Sequence, residues 1–291
     1  MSACNHAKMR EQRGSNLSYA ARRMQASSNA PLPALVGVIH LRPLPESPRY
    51  AGDLAAIVAS AADDARHLDR AGFEGVIVEN FGDAPFVPGR VSPVTVAAMT
   101  AVALAVRVAA PGLALGINVL RNDAEAALAI AVAAGASFIR VNVHTGARVT
   151  DQGLIEGRAH ETLRLRRALG AEGVRILADV DVKHSAPLAP RPLGEEAHDL
   201  TLRGLAEGVI VTGSGTGRGV TLADLHAVAD ALGPEAAIFV GSGATIASLP
   251  SIRRAYGVIA GSCLRASGRA GDPIDEPAAN AFAEAWKRRE R

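Results

Sequence analysis

The sequence predicts an α/β fold in which eight strand–helix units close into a (β/α)8 barrel, the TIM barrel. From about Pro33 onward, a short run rich in β-branched residues, a polar loop and an alanine-rich helical stretch recur eight times. The eight units occupy residues 34–291, which matches the length of one such barrel. No G-x-G-x-x-G motif follows the first strand, which argues against an open dinucleotide-binding sheet.

The eight strand candidates are short, apolar and rich in valine and isoleucine, as β-strands generally are. They cover residues 34–41, 75–80, 113–120, 138–144, 174–183, 208–212, 237–241 and 257–262. Helix candidates between them include residues 53–71, 92–109, 123–134 and 222–232. Ser92 before Pro93 and Thr221 before an acidic first turn are typical helix starts, and glycines follow the helices.

Composition and charge exclude several classes of protein. Of 291 residues, 48% are hydrophobic, which suits a packed core, and the net charge of +2 does not favour nucleic acid as a partner. The longest membrane-like stretch, residues 94–106, is shorter than the roughly 20 residues that a spanning helix needs. Two distant cysteines predict no disulfide framework and favour a reducing compartment, so we expect a cytoplasmic protein.

The first 33 residues show no apolar period and are rich in Ser, Asn, Gln and Arg. We therefore expect residues 1–33 to be a disordered tail and residues 34–291 to be a single barrel domain. The arginine-rich tail also leaves two other interpretations open, an organelle-targeting segment or a translation start that lies later, at Met24.

Polar side chains alternate with aliphatic ones along several strands. In residues 138–144, Ile139, Val141 and Val143 share one face, and the other face is polar. An aliphatic face must pack on helices, so the polar face is expected inside the barrel, at the end where barrel enzymes hold their active sites. The candidate catalytic residues are Glu79, Asn118, Arg140, Asn142, His144, Asp179, Lys183 and His184.

Not all of these side chains need have a catalytic role. Arg140 and Asp179 lie deep in their strands, so a purely structural ion pair is an equal alternative for them. Function is favoured for Glu79, His144 and Lys183, which lie near the carboxyl ends. His40 and His184 are interpreted either as ligands or as histidines packed in loops.

Lys183 has a second argument in its favour. The chain contains 28 arginines and three lysines, and Lys183 is the only lysine between residues 9 and 286. Arginine stays charged, whereas a partly buried lysine can lose its proton and act as a base or a Schiff-base nucleophile. The sequence leaves open whether burial or the carboxylates of Asp179 and Asp181 decides its pKa.

Glycine–serine pairs follow the last three strands. Backbone N–H groups at such turns can approach a phosphate, and loops seven and eight of these barrels commonly bind one. The predicted ligand is a small phosphorylated molecule, although the glycines also suit tight turns alone. The candidate phosphate-binding residues are Gly213, Ser214, Gly241, Ser242, Gly243, Gly261 and Ser262.

No cofactor and no metal are expected, since the chain has no H-E-x-x-H motif and no P-loop. The alternative is a divalent metal near Glu79, His144 and Asp179, because carboxylate and imidazole groups are suitable ligands. Association of several copies into a homo-oligomer is also left open.

Seven segments, read together, resemble the BtpA family, also labelled BtpA/SgcQ, over roughly residues 34–288. They are HLRPLP at 40–45, GVIVENFGDAPF at 75–86, GINVLRNDA at 116–124, FIRVNVHTG at 138–146, TDQGLIEG at 150–157, ADVDVKH at 178–184 and GSG at 241–243. The resemblance implies a barrel of the ribulose-phosphate-binding type. It also implies that other residues are tolerated at position 181, which makes Asp179, Lys183 and His184 better candidates than Asp181.

Two functions follow from this resemblance. One is an enzyme that acts on a small phosphorylated metabolite by acid/base or lysine chemistry at the barrel mouth. The alternative is a non-catalytic assembly or stability factor for photosystem I-type complexes, with peripheral membrane association. A scaffold has no need of a charged barrel mouth, so the residues favour the enzyme.

Overall fold

A computed structural model describes residues 31–213 and 220–289 and confirms the predicted barrel. The eight barrel strands are β1 (Leu35–His40), β2 (Gly75–Glu79), β3 (Ala114–Asn118), β4 (Phe138–Val141), β7 (Arg175–Val180), β9 (Gly208–Thr212), β10 (Ile238–Gly241) and β11 (Gly257–Ala260). They are parallel and close in the order β1-β11-β10-β9-β7-β4-β3-β2. A separate antiparallel sheet has the order β6-β5-β8 and consists of β5 (Ala147–Thr150), β6 (Gly153–Glu156) and β8 (Ser185–Pro187).

Helices follow seven of the eight barrel strands within the described residues. They are α1 (Leu54–Ala71), α2 (Pro93–Ala109), α3 (Ala124–Ala134), α4 (Ala159–Ala168), α5 (Leu193–His198), α6 (Leu222–Leu232) and α7 (Glu276–Arg288). After β10, a 3-10 segment at Ile246–Ile252 takes the helix's place. None of the helices in residues 31–213 and 220–289 is long and apolar enough to cross a membrane.

The helix boundaries follow from the capping residues. The side chains of Asp53, Ser92, Asp123 and Thr221 each accept a hydrogen bond from a backbone N–H in the first turn. Gly72 ends α1 in the left-handed conformation, which costs little without a Cβ atom. These residues place the carboxyl end of each strand close to the start of the following helix.

The lower part of the barrel interior is apolar. Phe138, Leu177, Ile210 and Phe239 belong to one buried cluster inside the barrel. Small residues in neighbouring strands make room for the rings, since a Cβ atom on Gly257 would lie 2.6 Å from a ring carbon of Phe239. This apolar cluster fills the amino end of the barrel, so a ligand can enter from the carboxyl end.

The domain begins slightly earlier than the predicted residue 34. Leu32 is buried in the same apolar cluster at the amino end of the barrel, and its carbonyl accepts a hydrogen bond from the hydroxyl of Tyr256. Pro33 is buried as well, against Gly75. The rest of the predicted tail, residues 1–30, lies outside the described residues.

Seven of the eight predicted strands extend beyond the observed ones, and for the fourth and fifth the difference moves candidate residues out of the strand. The fourth barrel strand ends at Val141 and the fifth at Val180, so His144 and residues 181–183 lie in loops. Asp181 has φ 50°, which breaks the extended backbone on which the face assignment depended. The small sheet, formed from these loops, was not predicted.

Candidate active site

A cavity of about 630 Å³ opens at the carboxyl end of the barrel. Glu79, Arg140, Asn142 and Lys183 line it, together with Arg121. Glu79, Arg140 and Lys183 also line a smaller adjoining cavity, which reaches to the loops after β10 and β11. The two spaces therefore share a polar floor made of the same three side chains.

The strand alternation accounts for this floor. In β2, Glu79 comes two residues after Ile77, which belongs to the inner apolar cluster. In β4, Arg140 comes two residues after Phe138 of the same cluster. Glu79 and Arg140 therefore point into the barrel. Asn118 and Asp179 occupy the corresponding positions of β3 and β7. Asn118 donates to the backbone carbonyl of Arg140, and Asp179 accepts from the side chain of Asn142. The structure thus brings together Glu79, Asn118, Arg140, Asn142, Asp179 and Lys183.

Arg140 and Asp179 form a buried, two-pronged ion pair. The Nε and Nη2 atoms of Arg140 donate to the two carboxylate oxygens of Asp179, each at 2.9 Å. Asn142 donates to Oδ2 of Asp179 at 3.1 Å and accepts from Asn118 at 3.1 Å. Burial disfavours the charged guanidinium, but Asp179 and Glu79 outweigh burial and raise the pKa of Arg140. Both oxygens of Asp179 are thus already engaged.

The carboxylate of Glu79 has weaker contacts with its neighbours than that of Asp179. It is 4% exposed and lies 3.8 Å from Nη1 of Arg140 and 3.6 Å from Nε2 of His40, both longer than a good hydrogen bond. Burial, followed by the nearby cations Arg265, Lys183 and Arg140, lowers the pKa of His40 well below its usual value. His40 is therefore neutral at neutral pH, and Glu79 has a neutral neighbour on that side.

Lys183 lies in the loop after β7, not on the strand, but still borders both cavities. Burial lowers its pKa, although Glu79 and Asp179 oppose this by favouring the ammonium form. Arg140 and Arg121 add to the lowering. Desolvation is thus the larger of the two effects that the sequence left open.

Two side chains near the predicted strand ends, His144 and Asp181, line neither of these two cavities, and the candidate His184 lies at the rim of the larger one. His144 is 1% exposed and its Nε2 donates to the carbonyl of Gly204 at 2.8 Å, so it does not lie with Glu79 and Lys183. Asp181 is exposed and pairs with Arg148 of β5 instead of pointing into the barrel. His184 reaches the rim of the larger cavity.

We expect His144 to have a structural role. Substitution of His144 by leucine should lower the free energy of unfolding by about 1–3 kcal/mol, because the buried carbonyl of Gly204 loses its donor. Urea unfolding measures this, and affinity for an anion at the barrel mouth should not change. A His144→Leu variant that keeps its stability but loses its affinity for the anion would show that His144 takes part in ligand binding.

The predicted phosphate-binding residues divide into two groups. Ser242, Gly243, Gly261 and Ser262 line the smaller cavity. Gly241 lies in the wall instead, since a Cβ atom there would lie 2.7 Å from Ile210. Gly213 is buried at the end of β9, and Ser214 lies outside the described residues.

Three further side chains lie at the mouth: His40, for which the sequence left a ligand and a packing role open, and Arg265 and Arg121, which were not predicted. His40 shares the inner face of β1 with Val36 and Val38, an alternation that the sequence already contains. Arg265 is buried and donates to the carbonyls of Val38, Gly261 and Asp272, which fastens the loop after β11 to β1. Arg121 is a loop residue, and its position gives no periodic signal.

Cys263 borders the smaller cavity. Burial raises the pKa of Cys263 to about 11, so its thiol is protonated at neutral pH. In residues 31–213 and 220–289, no three His, Cys, Asp or Glu side chains are placed to hold a metal ion.

A second cavity of about 700 Å³ lies outside the barrel wall, near the starts of α3 and α4. Both of its arginines pair with a carboxylate, Arg90 with Glu125 and Arg158 with Glu161, each at 2.7 Å. At the barrel mouth, by contrast, Arg121 has no carboxylate within ion-pair distance among the described residues. The mouth is therefore the better candidate site.

Solved structures share this fold at low sequence identity. One is a phosphoribosylanthranilate isomerase from Pyrococcus furiosus, with TM-score 0.53, 12% identity, and coverage of 88% of this chain and 99% of that one. Another is an (S)-3-O-geranylgeranylglyceryl phosphate synthase from Thermoplasma acidophilum in complex with sn-glycerol-1-phosphate. It has TM-score 0.55 and 15% identity, over 92% of this chain and 98% of that one. Both likenesses establish the barrel fold.

Sequence relatives are much closer. The Photosystem I biogenesis protein BtpA of Synechocystis is 48% identical over 254 residues, which cover 86% of this chain and 87% of that protein. An uncharacterised protein of Pyrococcus furiosus is 43% identical over 244 residues, or 82% and 89% of the two chains. The BtpA family model matches residues 32–288, so it includes the packed Leu32 and Pro33. The chain belongs to the BtpA family.

Proposed function

We propose that this protein is an enzyme that acts on a small phosphorylated metabolite at the barrel mouth. The observation that carries the proposal is the shared floor of the two cavities: Glu79 and Lys183 border both, and the serine–glycine loops border one. A phosphate held at the loops would place the rest of the ligand over Glu79 and Lys183. Structural neighbours that include a glyceryl phosphate synthase and a phosphoribosylanthranilate isomerase support a phosphorylated ligand.

Each polar residue then has a distinct role. Ser242, Gly243, Gly261 and Ser262 bind the phosphate through hydroxyl and backbone N–H groups. Asp179 and Asn142 fix Arg140, whose Nη1 faces Glu79 and supplies a positive charge to a developing anion. Glu79 or a neutral Lys183 transfers a proton, or Lys183 attacks a carbonyl carbon and releases water as an imine forms.

Phosphate binding is the first test. The double variant Ser242→Ala with Ser262→Ala should bind glucose 6-phosphate about 10-fold more weakly than the wild type, because two donors to a charged group are lost. Isothermal titration calorimetry measures the affinities. Ser137→Ala, at the amino end of β4, removes a hydroxyl far from the mouth and should bind normally. Equal affinity in all three proteins would contradict the phosphate site.

A non-catalytic role is the second candidate, favoured by the 48% identity to the photosystem I biogenesis protein. In this role the barrel would be an assembly or stability factor for such a complex, associated peripherally with a membrane. The enzyme proposal instead needs only a cytoplasmic, small-molecule setting, with or without a homo-oligomer. Complementation of a cyanobacterium lacking its BtpA with Glu79→Gln distinguishes the two, since a scaffold should keep its effect.

A further inference from the structure

We propose that Arg121 forms a second anion subsite at the barrel mouth, so that the substrate carries a second anionic group beyond its phosphate. This inference rests on the proposed function, because it assumes that the phosphate lies at the loops after β10 and β11. The substrate class is then a bisphosphate or a phosphorylated carboxylic acid.

Among the described residues, Arg121 is a buried cation with no carboxylate within ion-pair distance, although Asp179, Glu79 and Asp151 act on it at longer range. The residue is 5% exposed, and its described partner is one backbone carbonyl, that of Lys183, at 2.7 Å from Nη2. A guanidinium has five N–H donors, and Arg121 borders the larger cavity. Burial of an unpaired charge is unfavourable, so the fold tolerates this one at a cost that a bound anion would offset.

The other buried arginines near the barrel mouth have more partners. Arg140 is held by Asp179, and Arg148 pairs with Asp181 and Glu196. Arg265 has no carboxylate partner but donates to three carbonyls. Among the described buried arginines of this region, Arg121 therefore has donors to spare, and the cavity is where they can be used.

The backbone around Arg121 is held in place before any ligand binds. The buried Asn80 side chain accepts from the N–H of Leu120 at 2.7 Å. The N–H of Arg121 itself donates to the carbonyl of Val87 at 3.2 Å. Asn122, on the other side, exchanges two 2.8 Å hydrogen bonds with the backbone of Val143. Such preorganisation is what a binding group requires.

The barrel topology places Arg121 opposite the phosphate loops. In the closed order of eight strands, β3 is four strands away from β10 in either direction, so their carboxyl ends face each other across the mouth. Arg121 follows β3, whereas Ser242 and Gly243 follow β10. Glu79, Arg140 and Lys183 lie between them, shared by both cavities. A ligand with an anion at each end would therefore present its middle to these three groups.

The experiment compares two probes that differ at one end. Glucitol 6-phosphate has one anionic group, and 6-phosphogluconate has a carboxylate in place of its terminal CH2OH group, at the opposite end of the same open carbon chain. We expect the wild type to bind 6-phosphogluconate at least about 10-fold more tightly in calorimetric titrations, since a charged hydrogen bond is gained. Ribulose 1,5-bisphosphate and ribulose 5-phosphate provide the equivalent comparison for a second phosphate.

Variants locate the effect. Arg121→Gln should bring the affinities for 6-phosphogluconate and glucitol 6-phosphate to within about 3-fold of each other, with little change for glucitol 6-phosphate. Arg254→Gln removes the same charge from an exposed pair with Asp230, away from the mouth, and should keep the wild-type preference. If Arg121→Gln does not fold, the wild-type comparison of the two probes decides whether a second anion subsite exists. Arg121→Lys then keeps the positive charge but has fewer donors, so its preference for the second anionic group should be smaller than that of the wild type.

Each contrary outcome has a separate meaning. Equal wild-type affinity for probes with one and two anionic groups would overturn the second subsite and leave the proposed phosphate site intact. An equal loss of both probes in a folded Arg121→Gln would show that Arg121 supports the loop of Lys183 instead. Failure of every probe and of inorganic phosphate to bind would overturn the proposed function, and this inference with it.

Discussion

Replacement of Asp179 by alanine is expected to lower the free energy of unfolding by about 3–5 kcal/mol, the largest stability effect of a single substitution predicted for this protein. The substitution leaves the guanidinium of Arg140 inside the barrel without its two 2.9 Å hydrogen bonds. Glu79, at 3.8 Å, is too far away to replace them. Chemical denaturation measures the loss, and the melting temperature should fall by roughly 6–20 °C.

A control and a double variant separate this effect from general charge removal. Asp230→Ala breaks an exposed pair with Arg254 and should cost no more than about 1 kcal/mol. The double variant Arg140→Met with Asp179→Leu removes both charges, so it should be more stable than Asp179→Ala alone. A double variant less stable than Asp179→Ala would contradict the view that the uncompensated charge of Arg140 causes the loss.

The same pair has a functional consequence. Since Arg140 and Asn142 occupy both oxygens of Asp179, this carboxylate positions Arg140 and is a poor candidate for a base. The structural role considered for the two residues and a role in the site are thus compatible. The bridge holds the barrel together and also fixes the Nη1 atom that faces Glu79.

Lys183→Arg is expected to lower turnover of a phosphorylated substrate by about 10²–10⁴-fold, the usual contribution of a proton-transfer group. Arginine keeps the positive charge, so binding of inorganic phosphate should be largely retained. Lys183→Met removes the charge as well and should weaken both binding and turnover. Near-normal turnover in Lys183→Arg would contradict proton transfer and imine formation together, and borohydride trapping with a carbonyl substrate separates these two chemistries.

The pH dependence of stability tests Lys183 without a substrate. Burial lowers the pKa of Lys183 in the folded chain, whereas in the unfolded chain the pKa is about 10.4. Between these values the unfolded chain holds the proton and the folded chain does not. The free energy of unfolding of the wild type should therefore rise with pH in this window, by up to about 1.4 kcal/mol per pH unit. Lys183→Met should lose this rise.

Amine labelling gives an independent measure of the same group. The chain has three lysines, so mass spectrometry can follow Lys183 separately from Lys8 and Lys287. Labelling of Lys183 in the native protein should reach half its maximal rate at a pH below the usual lysine value, because burial disfavours the ammonium form. Half-maximal labelling at or above that value would show that Glu79 and Asp179 dominate.

Much of the fold was determined by the sequence alone. The eight repeated units predicted the barrel, and the capping residues Ser92 and Thr221 predicted helix starts that the structure confirms. Strand alternation placed Glu79, Asn118, Arg140 and Asp179 inside, because side chains of an extended strand alternate strictly between its two faces. These are local rules, so a single sequence contains enough information to apply them.

Only the tertiary structure decided what happens where the strands end. The alternation of faces ends where the chain turns. His144 therefore donates a hydrogen bond to the carbonyl of Gly204 instead of joining the site, and Asp181 forms an ion pair with Arg148. Lys183 reached the cavity from a loop, and Arg121 reached it from a turn held by Asn80. The partners of these side chains come from segments distant in the chain. Their positions therefore depend on how the loops pack, which no local periodicity describes.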